Sequence, residues 1–417
     1  MPVGVWQLAA DVVMRPEAFG GMVFHRASGL TVELDTEAYA YLRSYRVPRS
    51  LPPADHPAAV LVPQWLHWGL LCPATTQPPS TEEKSDAPTG KPTSLPTTLR
   101  APEVVHVAIT ARCNLTCVEC YVPQSRMGPE LSPTEWCDLI DQWASLRVFQ
   151  LAVGGGEPLL YPGLFEVLTY ARKQGVVPNV TTNGVVLDAQ SVRRMEEAGV
   201  ARVNVSWNAY AERALCLLLD SQLHVGVNLL VTRSLLPRLS RVLAQLQAIG
   251  VHRVTVLRAK PAAFPSTAHR AWYAAQSLSP QDLMQLRDIL RAWRGVLFIE
   301  VGSALTELMH DIPPDLLRRR GIRGCMAGRR ICTVWPDGRV SPCSFLADLE
   351  VGNVLETPFA ALWERGLGWE DLRAMEAAPC AAYCIARSAR EPVRQSPAQG
   401  GAQSFGGLPG CAYCRVR

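Results

Sequence analysis

Cys113, Cys117 and Cys120 lie in the segment ITARCNLTCVECY with the spacing C-x3-C-x2-C. Three thiolates on one short loop can hold three irons of a four-iron cubane and leave the fourth iron without a protein ligand. That open iron can bind a small molecule and pass it an electron. A zinc site is the alternative for such a triplet. A second concentration of thiols comes late in the chain, at Cys325, Cys332, Cys343, Cys380, Cys384, Cys411 and Cys414. Cys72, Cys137 and Cys216 stand alone and read as small buried hydrophobes. Thirteen cysteines in a chain whose start lacks the basic-then-apolar build of a signal peptide point to metal or redox chemistry rather than disulfides.

Positioning three ligands takes a rigid scaffold, and the surrounding pattern supplies one. VVHVAIT, FQLAVGG, VPNVTT, RVNVSW, VGVNLLV and HRVTVL are short apolar segments of the kind found in parallel sheets. Helical patterns alternate with them. Ser132, Pro133 and Glu135 form a capping box with proline at the first helical position, and Trp136, Leu139, Ile140 and Trp143 make one apolar face. Gly175, Gly199 and Gly250 stop later helices. Six βα units in succession predict an α/β fold, a partial (β/α)6 TIM-type barrel over residues 101–302, with its chemistry at the carboxyl ends of the strands. The cysteine loop follows the first of those strands.

Residues 73–100 are dense in Pro, Ser and Thr and nearly free of large apolar side chains, which predicts a flexible linker. It sets apart residues 1–72, where MVFHRA and LTVEL flank Ser28-Gly29 as a hairpin and Asp35 caps a helix bearing Tyr39, Leu42 and Tyr45. LVPQWLHWGLL reads as a closing helix, and a small winged-helix-like α+β domain fits. With 48% hydrophobic and 19% charged residues the chain is globular in composition, and no apolar run reaches the roughly 18 residues of a membrane span. A cytoplasmic location follows as the expectation. The net charge of +4 and dispersed basic residues give no sign of a nucleic-acid partner. Only Lys84, Lys91, Lys173 and Lys260 among the 41 basic residues are lysines, a bias read as genomic rather than functional.

On the C-x3-C-x2-C loop the chain resembles the radical S-adenosylmethionine superfamily. The resemblance implies that the open iron chelates S-adenosylmethionine and that one electron cleaves it to a hydrogen-abstracting 5'-deoxyadenosyl radical. It implies a [4Fe-4S] cluster on Cys113, Cys117 and Cys120, and an electron donor such as flavodoxin or ferredoxin. Glu119 stands where the family usually has an aromatic residue or histidine, whereas Tyr121 is typical. Gly155, Gly156, Glu157 and Pro158 match the GGEP motif, in which the glycines admit close backbone approach and the carboxylate accepts from the ligand ammonium. Thr182, Asn183 and Gly184 match the TNG of the third strand. Ser206 and Asn208 take the ribose-contacting place on the fourth, without the usual aspartate and glycine. Asn228 and Arg258 lie on the fifth and sixth strands, where the cofactor or the fold alone can account for a polar residue. No catalytic acid or base is singled out.

From Cys325 onward, with Gly338 five positions before Cys343, the chain resembles a SPASM extension over residues 303–417, including its PDG hairpin. This implies two auxiliary [4Fe-4S] clusters drawing on Cys325, Cys332, Cys343, Cys380, Cys384, Cys411 and Cys414, although the usual closing run of cysteines is absent. A zinc ribbon is the alternative for the paired cysteines. Residues 1–72 resemble the PqqD-like element that recognises the leader of a ribosomally made precursor peptide by strand addition. A DNA-binding winged helix competes, but no basic recognition helix is evident. Together the resemblances imply a peptide maturase that forms a thioether or carbon–carbon crosslink. A related radical enzyme of the sulfatase-maturase or tetrapyrrole-oxidase type, and a non-enzymatic zinc regulator, are the alternatives.

Overall fold

The computed structural model describes residues 4–74, 98–123, 128–309, 325–366, 369, 372–373 and 380. Two compact units result, one within the first hundred residues and one from Ala101 on.

In the first unit, strands β1 (Val5–Leu8), β2 (Val12–Glu17), β3 (Gly20–His25) and β4 (Leu30–Asp35) are followed by helix α1 (Thr36–Ser44). β2, β3 and β4 form an antiparallel meander, while β1 pairs with β5 (Arg49–Ser50) and β6 (Leu71–Pro73). Asp35 caps α1 as expected, its Oδ1 accepting from the Ala38 N–H at 2.8 Å. Tyr39, Leu42 and Tyr45 are buried with Trp65 of α2 (Val62–His67). A side chain at Gly21 would strike the Tyr39 ring at 2.1 Å, so this glycine lets α1 lie flat on β3. The unit carries more strand than the hairpin read from sequence. β1, β5 and β6 span four residues or fewer, too short for an alternating pattern to register. Residues 98–100, expected in the linker, belong with this unit: the Arg100 N–H donates to Glu17 Oε2 at 2.9 Å.

The second unit is built on β7 (Val104–Thr110), β8 (Gln150–Gly155), β9 (Val177–Thr182), β10 (Arg202–Ser206), β11 (His224–Val231) and β12 (Arg253–Arg258), all parallel and adjacent in chain order. These are the six predicted strands. A seventh, β13 (Phe298–Val301), adds in parallel beside β12. At the opposite edge β14 (Ile331–Val334) pairs in parallel with β7, and β15 (Arg339–Ser341) and β16 (Gly352–Asn353) extend the sheet antiparallel to ten strands. The cysteine-rich extension is thus grafted onto the first barrel strand.

Helices α3 (Pro133–Ser145), α4 (Leu164–Lys173), α5 (Ala189–Glu197), α6 (Ala211–Leu219) and α7 (Leu239–Ile249) each follow a strand. α8 (Thr267–Gln276) and α9 (Pro280–Ala292) both follow β12. The predicted capping box opens α3, with the Ser132 N–H donating to Glu135 Oε2 at 2.7 Å. Trp136 and Trp143 of that helix are fully buried with Val105, Val107 and Val153. Each such aromatic contributes on the order of 2–3 kcal/mol by burial. The Phe359 ring in α10 (Phe359–Arg365) packs T-shaped with Trp143, 5.8 Å between ring centroids. Cys216 departs from expectation: it is exposed, because Ala211, Ala214, Leu215 and Leu218 form the buried face of α6. Cys72 and Cys137 are half-buried.

On β7, β9, β10, β11 and β12 polar residues alternate with buried apolar ones: His106, Asn179, Asn204, Asn228 and Thr255. One face of the sheet carries the hydrophobic core, and the other presents hydrogen-bonding groups.

Candidate functional site

The cysteine loop leaves the carboxyl end of β7 at Thr110, with Cys113 half-buried and Cys117 and Cys120 exposed. Its geometry is set from two sides. Glu130 Oε1 accepts from Thr110 Oγ1 at 2.5 Å and from the Ala111 N–H at 2.9 Å, while its Oε2 lies 3.1 Å from the Arg112 guanidinium. From β8, the Gly156 N–H donates to the Thr110 carbonyl and the Glu157 N–H to the Arg112 carbonyl, each at 2.8 Å. A Cβ on Gly156 would sit 2.1 Å from the Arg112 carbonyl oxygen, and one on Gly155, whose φ is +111°, 2.5 Å from that of Thr110. The two glycines therefore bring the end of β8 directly against the cysteine loop. Glu130 was not read from sequence, because it stands ten residues past Cys120 in no recognisable motif.

Glu157 is fully buried and acts as a post between strands. Its Oε1 accepts from Thr182 Oγ1 at 2.8 Å and the Leu159 N–H at 3.3 Å, and its Oε2 from the Asn183 N–H at 2.8 Å. Burial pushes its carboxyl above the usual range, and those three donors oppose the shift. So the carboxylate expected to meet a ligand ammonium is engaged within the protein. Asn183 carries the connection on to the cysteines: its Nδ2 donates to Asn114 Oδ1 at 2.8 Å and lies 3.8 Å from Cys113 Sγ. Asn208 Nδ2 in turn donates to the Asn183 carbonyl at 2.9 Å. Gly184 has φ +80° with Ala214 Cβ 2.6 Å from where its own would be, so the TNG turn packs on α6.

Although both side chains reach solvent, partial desolvation by the surrounding loop raises the Cys117 and Cys120 thiols, and charge on Glu119 and on the neighbouring cysteines adds to it. Mutual repulsion of this kind shows thiols within electrostatic reach of one another on one loop, which suits a cationic iron cluster that would bind them deprotonated. Among the described residues no three Cys, His, Asp or Glu side chains already close on one point. His269 of α8 is buried and its Nδ1 lies 3.0 Å from the Val118 carbonyl, a further brace on the loop that no sequence signal marked.

Of the late cysteines, Cys325, Cys332, Cys343 and Cys380 are described, and Cys384, Cys411 and Cys414 lie outside the described residues. Burial pushes Cys343 up to about 12, with Cys380 and Cys325 adding negative charge nearby and Lys260 acting in the opposite sense. Cys332 belongs, with Cys325 and Cys380, to the buried core. It shares a face of β14 with Val334, both fully buried, and burial alone raises its thiol. The PDG turn closes as expected, the Gly338 N–H donating to the Trp335 carbonyl at 3.0 Å with φ +83°. The same turn holds the chain after the first cysteine loop, for the Leu131 N–H donates to the Pro336 carbonyl at 2.6 Å and the Gly128 N–H to Asp337 Oδ2 at 3.1 Å.

Between the two cysteine regions lies Tyr121, its ring 4.5 Å from that of Phe345. Burial, with Cys120 and Cys343 beside it, pushes its hydroxyl up to about 12, against a hydrogen bond from Ser344. Ser344 Oγ also meets Thr333 Oγ1 at 3.1 Å and His106 Nδ1 at 3.5 Å. Arg258 donates to the Leu278 carbonyl at 3.2 Å, tying β12 to the segment before α9. Ser206 ends β10 in register with Asn228, whose carbonyl accepts from the Trp207 N–H at 2.9 Å.

Residues 107–256 match the radical SAM superfamily and residues 325–385 match SPASM, an iron–sulfur cluster-binding domain. A PqqA peptide cyclase of Gluconobacter oxydans (strain 621H) is 28% identical over 306 residues, 65% of this chain and 82% of the relative. An AdoMet-dependent heme synthase of Methanosarcina barkeri (strain Fusaro / DSM 804) is 26% identical over 305 residues, 66% of this chain and 85% of the relative. In fold, the chain is similar to Streptococcus suis SuiB bound to precursor peptide SuiA, with TM-score 0.64 and 13% identity over 91% of this chain and 97% of that one.

Proposed function

Because the chain belongs to the radical SAM superfamily and carries a SPASM iron–sulfur cluster-binding domain, we propose that this enzyme modifies a ribosomally made precursor peptide by radical chemistry. The observation that carries the reading is the loop of Cys113, Cys117 and Cys120 at the carboxyl end of β7, braced by Gly156, Glu157 and Asn183. With a [4Fe-4S] cluster and S-adenosylmethionine bound, that site would supply a hydrogen-abstracting radical. The protein's own part is positional. Gly155 and Gly156 leave room for the loop, Glu157 locks the ends of β8 and β9 together, and Asn183 and Asn208 fix the edge where the nucleoside would lie. Tyr121, Ser206 and Arg258 complete the proposed cofactor surroundings. Cys325, Cys343 and Cys380, with Cys384, Cys411 and Cys414, are the proposed ligands of auxiliary clusters, numbering two on this reading. A flavodoxin or ferredoxin is the proposed electron donor.

A peptide substrate is supported by the peptide cyclase among the relatives and by the share of the chain that matches SuiB. That share of 91% exceeds what residues 101–417 alone make up, so it takes in part of the N-terminal unit. We assign that unit to leader recognition through a free strand edge of its small sheets. The crosslink itself, thioether or carbon–carbon, is the finer part of the proposal. Among the described residues no helix is long and apolar enough to cross a membrane, and the proposed location is cytoplasmic.

The test is anaerobic incubation with S-adenosylmethionine and dithionite, followed by coexpression with a candidate precursor and mass spectrometry. Formation of 5'-deoxyadenosine should vanish when Cys113, Cys117 and Cys120 are all replaced by alanine. A precursor lacking its leader should react about tenfold more slowly or worse, because its effective concentration at the barrel falls. Heme synthesis is the second reading, favoured by the Methanosarcina relative. Mass loss from a tetrapyrrole, with every peptide unchanged, would select it.

A further inference from the structure

The turn after Cys343 is held by an aromatic ring with a cation on it. The backbone N–H of Phe345 donates to Cys343 Sγ at 3.4 Å, so Phe345 fixes the direction of that sulfur. Its ring packs on Tyr121, the residue following Cys120, at 4.5 Å between centroids. Against the same ring lies Lys260 Nζ, 4.5 Å from its centroid. The ammonium is attracted to the negative face of the ring, an interaction that strengthens as water is excluded. Among the described residues no carboxylate pairs with Lys260. Through Phe345 that charge lies at the turn of Cys343, and through Tyr121 at the loop of Cys120. One of only four lysines in the chain is therefore placed where the two cysteine regions meet.

We propose that Lys260 is a positioning residue for charge, raising the reduction potential of the iron–sulfur cluster held through Cys343. The inference rests on the SPASM cluster reading and deepens it. Adding one electron to a cluster makes it more negative, so a fixed positive charge nearby stabilises the reduced form over the oxidised one. The N–H donor from Phe345 acts on the sulfur in the same sense. Lys260 biases this cluster toward taking up an electron from any one-electron donor that reaches it. Tyr121 keeps the turn, and the charge behind it, against the loop of Cys120.

The experiment is an anaerobic redox titration with dithionite and mediators, followed by electron paramagnetic resonance. It uses the full chain carrying Cys113→Ala, Cys117→Ala and Cys120→Ala, so that only auxiliary clusters contribute. Adding Lys260→Met should move one auxiliary one-electron equilibrium about tenfold toward the oxidised form, a midpoint lower by about 59 mV. Adding Lys260→Arg instead should restore the midpoint, because a guanidinium keeps the charge and stacks on the ring. Iron and sulfide per chain should be the same in all three proteins. An unchanged midpoint in Lys260→Met with iron retained would overturn the charge assignment alone. Absence of iron from the triple-alanine background would overturn both this inference and the cluster reading beneath it.

Discussion

The backbone N–H of Asn183 donates to Glu157 Oε2 at 2.8 Å, joining the end of β9 to the end of β8. Because Asn183 also reaches Asn114 and Cys113, this bond sets the wall of the cysteine loop from 70 residues away in sequence. Glu157→Gln keeps the shape but trades one acceptor oxygen for an amide donor. It should cost about 1–3 kcal/mol of stability through an unsatisfied buried donor. The yield of 5'-deoxyadenosine should fall while iron bound per chain is kept. A urea midpoint equal to that of the unaltered protein would contradict the role.

The two glycines on either side of Gly155 offer a sharper contrast. A methyl at Gly156 meets the Arg112 carbonyl, whereas one at Gly154 meets nothing within 4 Å. Gly156→Ala should therefore lose about 1–3 kcal/mol to overpacking and should impair cluster uptake by displacing the loop. Gly154→Ala should stay within about 0.5 kcal/mol. Chemical denaturation and iron analysis of the pair check this, and equal effects would refute the clamp.

Cys332 and Cys343 should separate in the same way. Cys332→Ala removes one buried sulfur from the apolar side of β14 and should leave iron content unchanged. Cys343→Ala should lose iron from the auxiliary region. Loss of iron from both variants would return Cys332 to the ligand set.

His106 links pH to stability. Burial, and then the charge of Lys260, hold its imidazole down to about 4 from the ordinary 6.5. As pH falls through the interval from 6.5 to 4, the unfolded chain takes up a proton that the folded chain refuses. Stability is therefore present above 6.5 and lost on acidification. The loss should be on the order of 2 kcal/mol after discounting for partial exposure. His106→Gln should remove that component, and the difference in melting temperature between the two proteins at pH 7 and pH 4.5 measures it. Parallel pH profiles would exclude the assignment.

The sequence by itself determined the six strands from β7 to β12 and the capped start of α3. Apolar periodicity and cap chemistry are local, and these segments are long enough to show both. It also located the cysteine triplet, since its spacing is a short-range property of one loop. Tertiary structure alone decided what holds that loop. Glu130, Gly156 and His269 reach it from separate parts of the chain, through bonds whose partners lie 19 to 151 residues apart. Strands β13 and β14 likewise depended on pairing with a neighbour, being four residues each. The surroundings of the late cysteines were beyond sequence for the same physical reason. Along a strand, successive side chains point to opposite faces, so spacing could not tell that Cys332 shares a fully buried face with Val334 while Cys343, past the hairpin, comes to lie near Phe345 and Tyr121.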